Sequence, residues 1–340
     1  KESAYFLGVN RNKESLTLNL KDSRGCDILV RLLKHADVLV ENFRPGIMDR
    51  LGLGYAALHE HVPRLIYASI SGFGQDGPYR ERTAYDLILQ GMGGVMGITG
   101  EEGGAPVKVG VAIADICAGM YAAFGILAAL RVRERAGEGQ QVDAALLDGQ
   151  VSWLTYAAGY FFATGEDPGR LGSGHPTIVP YQAFKTSDGY VNVAVGSEAI
   201  WRRFGEVVDP SLLDDPRYAT NRERVAHRKE LIGHLAPRFA RKTTAQWTET
   251  LDAAGVPCGP ILTMAQVFSD PHVHHRGMLQ EVDHATVGRI RQTGLPVKLS
   301  QTPGRIRSAP PTLGQHTDAI LRELGLDAAA IATLRKDRVV

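Results

Sequence analysis

Apolar and polar positions change period several times along this chain, and each change marks an element. Ser15-Leu16-Thr17-Leu18-Asn19-Leu20 alternates with period two and predicts a short strand. Asp22 then stands ahead of Ile28, Leu29, Leu32 and Leu33, an apolar stripe at helical spacing, so a capped helix is expected. Ala36 to Asn42 reads as a buried strand. Arg44-Pro45-Gly46 breaks it, and Ile47 to Leu51 opens a short helix. Arg64 to Ile70 is another strand, closed by Ser71-Gly72-Phe73-Gly74. Strands alternating with helices predict a parallel sheet covered on both faces. The fold class is therefore α/β, with a Rossmann-like large domain.

The pattern continues with a helical stretch from Thr83 to Gln90 and a longer helix starting near Asp115. That helix ends in the charged turn Arg131-Val132-Arg133-Glu134-Arg135. Gln140 to Leu147 predicts a strand running into a helix that reaches about Ala163, and Gly165 to Gly174 looks like a domain boundary. A hairpin follows, Tyr181–Thr186 and Tyr190–Val195 around Ser187-Asp188-Gly189. Helices are expected over 200–208, 222–241 and 244–254, strands over 280–284 and 288–291, and a last helix over 317–324. The expected division is a large domain over residues 1–174, a smaller α+β domain over 175–300, and a segment 301–340 that returns to the large domain.

Composition excludes several classes. A net charge of +1 gives no basic field for nucleic acid, and no run of eighteen apolar residues predicts a membrane span. No GxGxxG follows a strand and no GxxxxGK[ST] occurs, so dinucleotide and P-loop phosphate binding lack local support. Cys26, Cys117 and Cys258 lie far apart without CxxC spacing, which suits a reducing compartment and disfavours structural zinc. His272, His274 and His275 sit in a polar turn and read as surface; no metal is expected. The chain starts without Met and enters directly into Gly8-Val9-Asn10-Arg11-Asn12-Lys13, so an N-terminal piece is expected to be missing. The expected compartment is the cytoplasm, with the mitochondrion kept open because of that start.

One acid stands out. Asp115 is the only charged residue between Lys108 and Arg131. A carboxylate at a helix N-terminus meets unpaired N–H groups and the positive dipole end, which favours ionisation by about 0.3–2 kcal/mol. Such a group is either a plain N-cap or a nucleophile held in a mostly dry pocket. Small residues follow it (Ala118, Gly119, Ala122, Ala123, Gly125), predicting a helix that other backbone approaches closely.

Several motifs keep a fixed order: Asn10-Arg11-Asn12-Lys13-x-Ser15-Leu16, Glu41-Asn42-Phe43-Arg44-Pro45-Gly46, Ser71-Gly72-Phe73-Gly74-Gln75-x-Gly77-Pro78, Tyr85-Asp86, and Gly110-Val111-Ala112-Ile113-x-Asp115-x-x-x-Gly119. Together they resemble the class III coenzyme A transferases, the formyl-CoA and carnitine-CoA transferase family, over nearly the whole chain. The resemblance implies that Asp115 is the nucleophile, forming first an acyl anhydride and then an aspartyl-CoA thioester. No metal or prosthetic group is needed; coenzyme A enters as a thioester substrate. It implies CoA contacts at Leu18 and Lys21, at Asn42, Phe43 and Arg44, at Arg50, and at Thr83, Ala84, Tyr85 and Asp86. It puts a loop over the acylated site at Gly172, Gly174 and His175. It also implies an interlocked homodimer.

His175-Pro176-Thr177-Ile178-Val179-Pro180-Tyr181-Gln182-Ala183-Phe184 and Gly314-x-His316 look most like the branch acting on succinyl-CoA and glutarate. A small dicarboxylic acid is then the expected partner, with His175 or Arg82 on its remote carboxylate. Two other readings compete. A 2-methylacyl-CoA racemase needs a His where Tyr85 stands, and a phenol of pKa about 10 is a poor base there. A non-catalytic CoA-binding protein leaves Asp115 without a purpose.

Overall fold

The run Ile66–Ser71 forms the centre of a parallel sheet, and its residues 66–68 are almost wholly buried, as a strand covered on both faces requires. The structure is a computed structural model describing residues 2–340. The chain divides into two units. The first comprises the N-terminal segment to Ala84, Asp115–Leu146 and Met264–Val340; the second comprises Tyr85–Ala114 and Leu147–Thr263.

The first unit opens with α1 (Ala4–Val9) and α2 (Ser23–Leu33). The Asp22 carboxylate accepts the Arg24 N–H at 3.0 Å and starts α2 as expected. Then come β1 (Val38–Glu41), α3 (Ile47–Arg50), α4 (Tyr55–His61) and β2 (Ile66–Ser71). After α5 (Asp86–Met92), which belongs to the second unit, the chain enters α6 (Ile113–Ala136) and β3 (Gln141–Ala145). The sheet order is β1-β2-β3, all parallel, with Val40 paired to Ala68 and Ala68 to Val142. Leu33, Met48, Leu53, Leu58, Leu65 and Tyr67 form the core beneath it.

Residues 15–20 are not a strand. Their backbone bonds to the C-terminal segment instead: Ser15 N–H to His316 Nδ1 at 3.0 Å, Thr17 N–H to Thr317 Oγ1 at 3.1 Å, and Asn19 N–H to the Val339 carbonyl at 2.8 Å. The alternation that predicts a strand reflects Leu16 and Leu18 packing on a second core, Ile28, Leu321, Ile331, Leu334 and Val339.

The small residues of α6 behave only partly as expected. Ala114, Cys117, Ala118, Ala122 and Ala129 are buried, and a Cβ on Gly125 would meet Val142 Cγ1 at 2.7 Å. Gly119 has open space where a Cβ would stand, so the expected close packing does not extend to it. The other face of α6 is apolar and exposed: Ile116, Met120, Phe124 and Leu127 are 46–64% accessible. By length and composition alone, α6, at 24 residues with an 18-residue stretch of mean hydropathy 1.9, is long and apolar enough to cross a bilayer. Asp115 interrupts the run near its start, which hides this from a search for unbroken apolar sequence.

In the second unit, α7 (Leu146–Ser152) and α8 (Thr155–Thr164) replace one expected helix, broken where Thr155 takes φ 35°. The hairpin β4 (Tyr181–Lys185) and β5 (Tyr190–Ala194) forms as expected. Then come α9 (Glu198–Val208), α10 (Asn221–Ala226), α11 (Arg228–Phe239) and α12 (Thr244–Ala253). β6 (Cys258–Pro260), where the sequence pattern marks only the end of a helix, joins the hairpin in the order β4-β5-β6. Phe184, Trp201, Phe204, Phe239 and Trp247 form its aromatic core. Back in the first unit, α13 (Met264–Ser269) and α14 (Pro271–His275) precede the hairpin β7 (Leu279–His284) and β8 (Gly288–Thr293). The chain ends in α15 (Thr317–Glu323) and α16 (Ala328–Lys336).

Candidate active site

In the first unit the candidate residues gather at the carboxyl end of β1. Glu41 is buried there, and its Oε2 accepts the Phe43 N–H at 2.9 Å. Asn42 donates to the Ile70 carbonyl at 2.7 Å, which ties this turn to β2 and leaves Phe43 half exposed. Gly46 then takes φ 82°, a left-handed conformation natural to glycine, and opens α3. A Cβ on Gly46 would lie 3.3 Å from Arg80 Nη2 and 3.6 Å from Arg50 Nη1, so two guanidinium groups flank this bare backbone. Arg44 and Arg80 line an adjoining cavity of about 270 Å³.

The cavity wall also carries Glu41, Asp49, Tyr67, Ser69 and Gln75. Burial, with Glu41 and Asp49 beside it, pushes the Tyr67 hydroxyl well above its ordinary pKa, so it remains a protonated donor. Ser69 Oγ, Gln75 Nε2 and Arg80 Nε are buried without a hydrogen-bond partner among the described residues. Sequence reading missed Arg80. It follows the Ser71–Pro78 motif closely, but only the folded chain brings it to Gly46.

Leu20, beside Lys21, and Leu51, beside Arg50, both present carbonyls to the Cys26 thiol, at 3.2 and 3.8 Å, so those two segments adjoin. Lys21 and Arg50 are exposed, while Leu18 packs on the C-terminal helices. Thr83 is exposed, and Ala84 lies against Gly72, whose Cβ would stand 2.1 Å from that of Ala84. The Arg82 guanidinium lies over the Tyr79 ring at 4.5 Å and the Phe73 ring at 5.6 Å.

Asp115 is in the first turn of α6 and is exposed in the single chain, not in the dry pocket expected for it. In the second unit, Tyr85 is exposed at the start of α5. Asp86 Oδ1 accepts the Ala114 N–H at 2.9 Å, and Asp86 Oδ2 accepts from Gln90 Nε2 at 2.7 Å. Gln90 Oε1 in turn accepts the Val109 N–H at 2.8 Å. Gln90, fully buried, is the second residue that sequence reading missed. Its spacing of four from Asp86 on one helix was the available signal.

The loop at 172–177 is held from several sides. The Gly172 N–H bonds to the Gly100 carbonyl at 2.8 Å, and a Cβ on Gly172 would meet Glu101 Oε2 at 2.7 Å. The Gly174 N–H bonds to the Leu171 carbonyl at 2.8 Å. The His175 ring lies between those of Tyr156, at 5.9 Å, and Tyr181, at 5.2 Å, and its Nδ1 accepts the Thr177 N–H at 3.2 Å. Arg228 Nη2 donates to the carbonyls of His175 and Pro176, at 2.7 and 2.9 Å. Burial lowers the Arg228 pKa from its ordinary value. Among the described residues, no group of three or more His, Cys, Asp or Glu is arranged to hold a metal.

The family model for CoA-transferase family III matches residues 1–317. The chain belongs to CoA-transferase family III. It is an enzyme of that family, a CoA-transferase, and family members act on CoA thioesters. Human succinyl-CoA:glutarate CoA-transferase is 42% identical over 341 residues, spanning 100% of this chain and 78% of that protein. Succinate–glutarate CoA-transferase of Agrobacterium fabrum is 40% identical over 323 residues, covering 95% and 81%. The crystal structure of a CaiB/BaiF family protein from Brucella suis superposes with a TM-score of 0.85 at 40% identity, covering 95% of this chain and 84% of that one. These CoA-transferase relatives do not favour the racemase or the non-catalytic reading.

Proposed function

We propose that this transferase moves coenzyme A between succinyl-CoA and glutarate. The observation that carries the reading is the 42% identity to the human succinyl-CoA:glutarate enzyme over the whole chain. In the proposed reaction, an Asp115 oxygen attacks the thioester carbonyl of succinyl-CoA, the C–S bond breaks, and a mixed anhydride and CoA thiolate result. The thiolate attacks the aspartyl carbonyl of the anhydride, expelling succinate and leaving an aspartyl-CoA thioester. Glutarate attacks that thioester, giving a second anhydride and the thiolate again. The thiolate then takes the glutaryl group, and Asp115 returns as a carboxylate. Charge balances at each step, and an acyl acceptor of this kind suits a carboxylate at a helix N-terminus.

The nucleotide end of CoA is assigned to the β1 loop. Arg44, Arg50 and Arg80 around Gly46 offer the planar donors that phosphate prefers, with Asn42, Phe43, Lys21 and Leu18 nearby in the reading. Thr83, Ala84, Tyr85 and Asp86 are assigned to the pantetheine arm. Gly172, Gly174 and His175 are proposed as substrate-loop residues. A second copy of the chain is proposed to cover the apolar face of α6, excluding water from the anhydride.

The test is direct. The enzyme is mixed with succinyl-CoA and isotopically labelled glutarate, and labelled glutaryl-CoA is sought by mass spectrometry. Its formation supports the reading. Exchange only with another acid, such as mesaconate or oxalate, overturns the substrate; racemisation of a 2-methylacyl-CoA without acyl exchange overturns the reaction.

A further inference from the structure

Asp115 directly follows Ala114, and the residues leading to it are clamped at two points. Ala114 carries one of the N–H groups that a helix start leaves without an intrahelical partner. Asp86 supplies that partner from another helix, through Oδ1 at 2.9 Å. Val109 is held by Gln90 Oε1 at 2.8 Å. Between the two points lies Gly110, with open space around it and no side chain to fix its path. Gln90 touches both ends of this arrangement. Its amide nitrogen donates to Asp86 Oδ2 at 2.7 Å, which orients that carboxylate so that Oδ1 faces Ala114, while its amide oxygen holds Val109. The same nitrogen lies 3.5 Å from the Val111 carbonyl.

We propose that Gln90 is a positioning residue for the transfer reaction: with Asp86 it fixes the entry of α6 and so aims the Asp115 carboxylate. This rests on the reading of Asp115 as nucleophile. Glutamine suits the place because one buried amide both donates to a carboxylate and accepts from a backbone N–H. A carboxylate or a thioether does only one of these or neither. The plain alternative is that Gln90 merely satisfies buried polar groups, in which case its loss lowers stability and leaves the rate of the folded enzyme alone.

Two variants separate these possibilities. Gln90→Met keeps the volume and removes both bonds. A misplacement of about 1 Å at a reacting group costs about a hundredfold in rate. The expected result is a fall in kcat of about tenfold to a hundredfold, with the KM for succinyl-CoA within about threefold of wild type.

Gln90→Glu is the second variant. In its neutral acid form the introduced carboxyl reproduces the donor and the acceptor; as an anion it opposes the Asp86 carboxylate at hydrogen-bond distance, so the pair retains a proton well above the ordinary range. Lys108, whose Nζ donates to the Val109 carbonyl at 3.0 Å, and Asp115 are the other charged groups on the clamped segment. The kcat of Gln90→Glu is expected to rise as pH falls from about 8 to 5, where the reference carboxylate is still ionised. Wild type shows no matching limb.

An unchanged kcat in folded Gln90→Met, or a Gln90→Glu profile that parallels wild type, overturns the proposal. If Gln90→Met does not fold, the Gln90→Glu profile decides alone. Asp115→Ala is run beside them. Retained exchange there removes the nucleophile reading and this inference together. Lost exchange there, with normal Gln90 variants, removes only the positioning role.

Discussion

Replacing Arg80 by Met tests whether the β1 loop binds the nucleotide end of coenzyme A. The Arg80 side chain is 39% accessible, and it pairs at 3.3 Å with Glu81, an acid that is 77% accessible. A pair that exposed contributes about 0–1 kcal/mol, so the fold should barely register its loss. Binding is different. Arg80 Nη2 sits beside the bare backbone of Gly46, on the side also reached by Arg50. A hydrogen bond to a charged group is worth about 1.5–3 kcal/mol, and 1.4 kcal/mol is about tenfold in affinity. Arg80→Met should therefore raise the KM for succinyl-CoA about tenfold to a hundredfold. Thermal stability and the KM for glutarate should stay near wild type. The assay is initial-rate kinetics with each substrate varied in turn, alongside a melting curve. An unchanged KM for succinyl-CoA in a well-folded variant would refute the nucleotide assignment.

Three other outcomes follow from the packing. The buried Arg224 guanidinium donates to the Val179 and Tyr218 carbonyls at 2.9 and 3.0 Å and to Glu198, and lies 4.5 Å over Trp201. Arg224→Met should cost about 3 kcal/mol in urea denaturation, the low end for breaking a buried pair, because Glu198 is 49% accessible; a loss under about 1 kcal/mol would contradict this. Hydrogen bonding from Arg224 holds the Glu198 carboxyl below its ordinary pKa of 4.5. That contribution is complete above pH 4.5 and disappears as pH falls through the lower folded value, so Glu198→Gln should flatten the acid limb of the stability curve. If the proposed pairing through α6 holds, wild type is a dimer in light scattering and Phe124→Asp with Leu127→Asp, at positions 62% and 64% accessible, is a folded monomer; a monomeric wild type or an intact variant dimer contradicts it.

Legibility in the sequence followed the range of the interactions. β2 and α2 are readable because their signals are local: an unbroken apolar run, and an Asp22 cap ahead of a stripe. α4 begins at Gly54 without a side-chain cap, and α1 lacks a cap bond as well, so neither announces itself. α16 has a signal that the sequence reading passes over, Asp327 capping an alanine-rich run through the Ala330 N–H. Residues 15–20 mislead because their partner lies some three hundred residues away, at His316, Thr317 and Val339. The site divides in the same way. Asp115 stands out as a lone acid, and the Asn42–Gly46 turn as a strand end. Arg80 carries no unusual local pattern and reaches Gly46 only in the folded chain; Gln90 offers the i, i+4 spacing from Asp86, but its bond to the Val109 N–H is made only there too.

The central claim is that Asp115 carries the acyl group and then coenzyme A. Incubation with succinyl-CoA and hydroxylamine, followed by peptide mass mapping, examines it most directly. The account predicts a hydroxamate on the Asp115 peptide, formed only when succinyl-CoA is present and absent from Asp115→Ala. Continued exchange of CoA with Asp115 unmodified, or modification at a different residue, would contradict it.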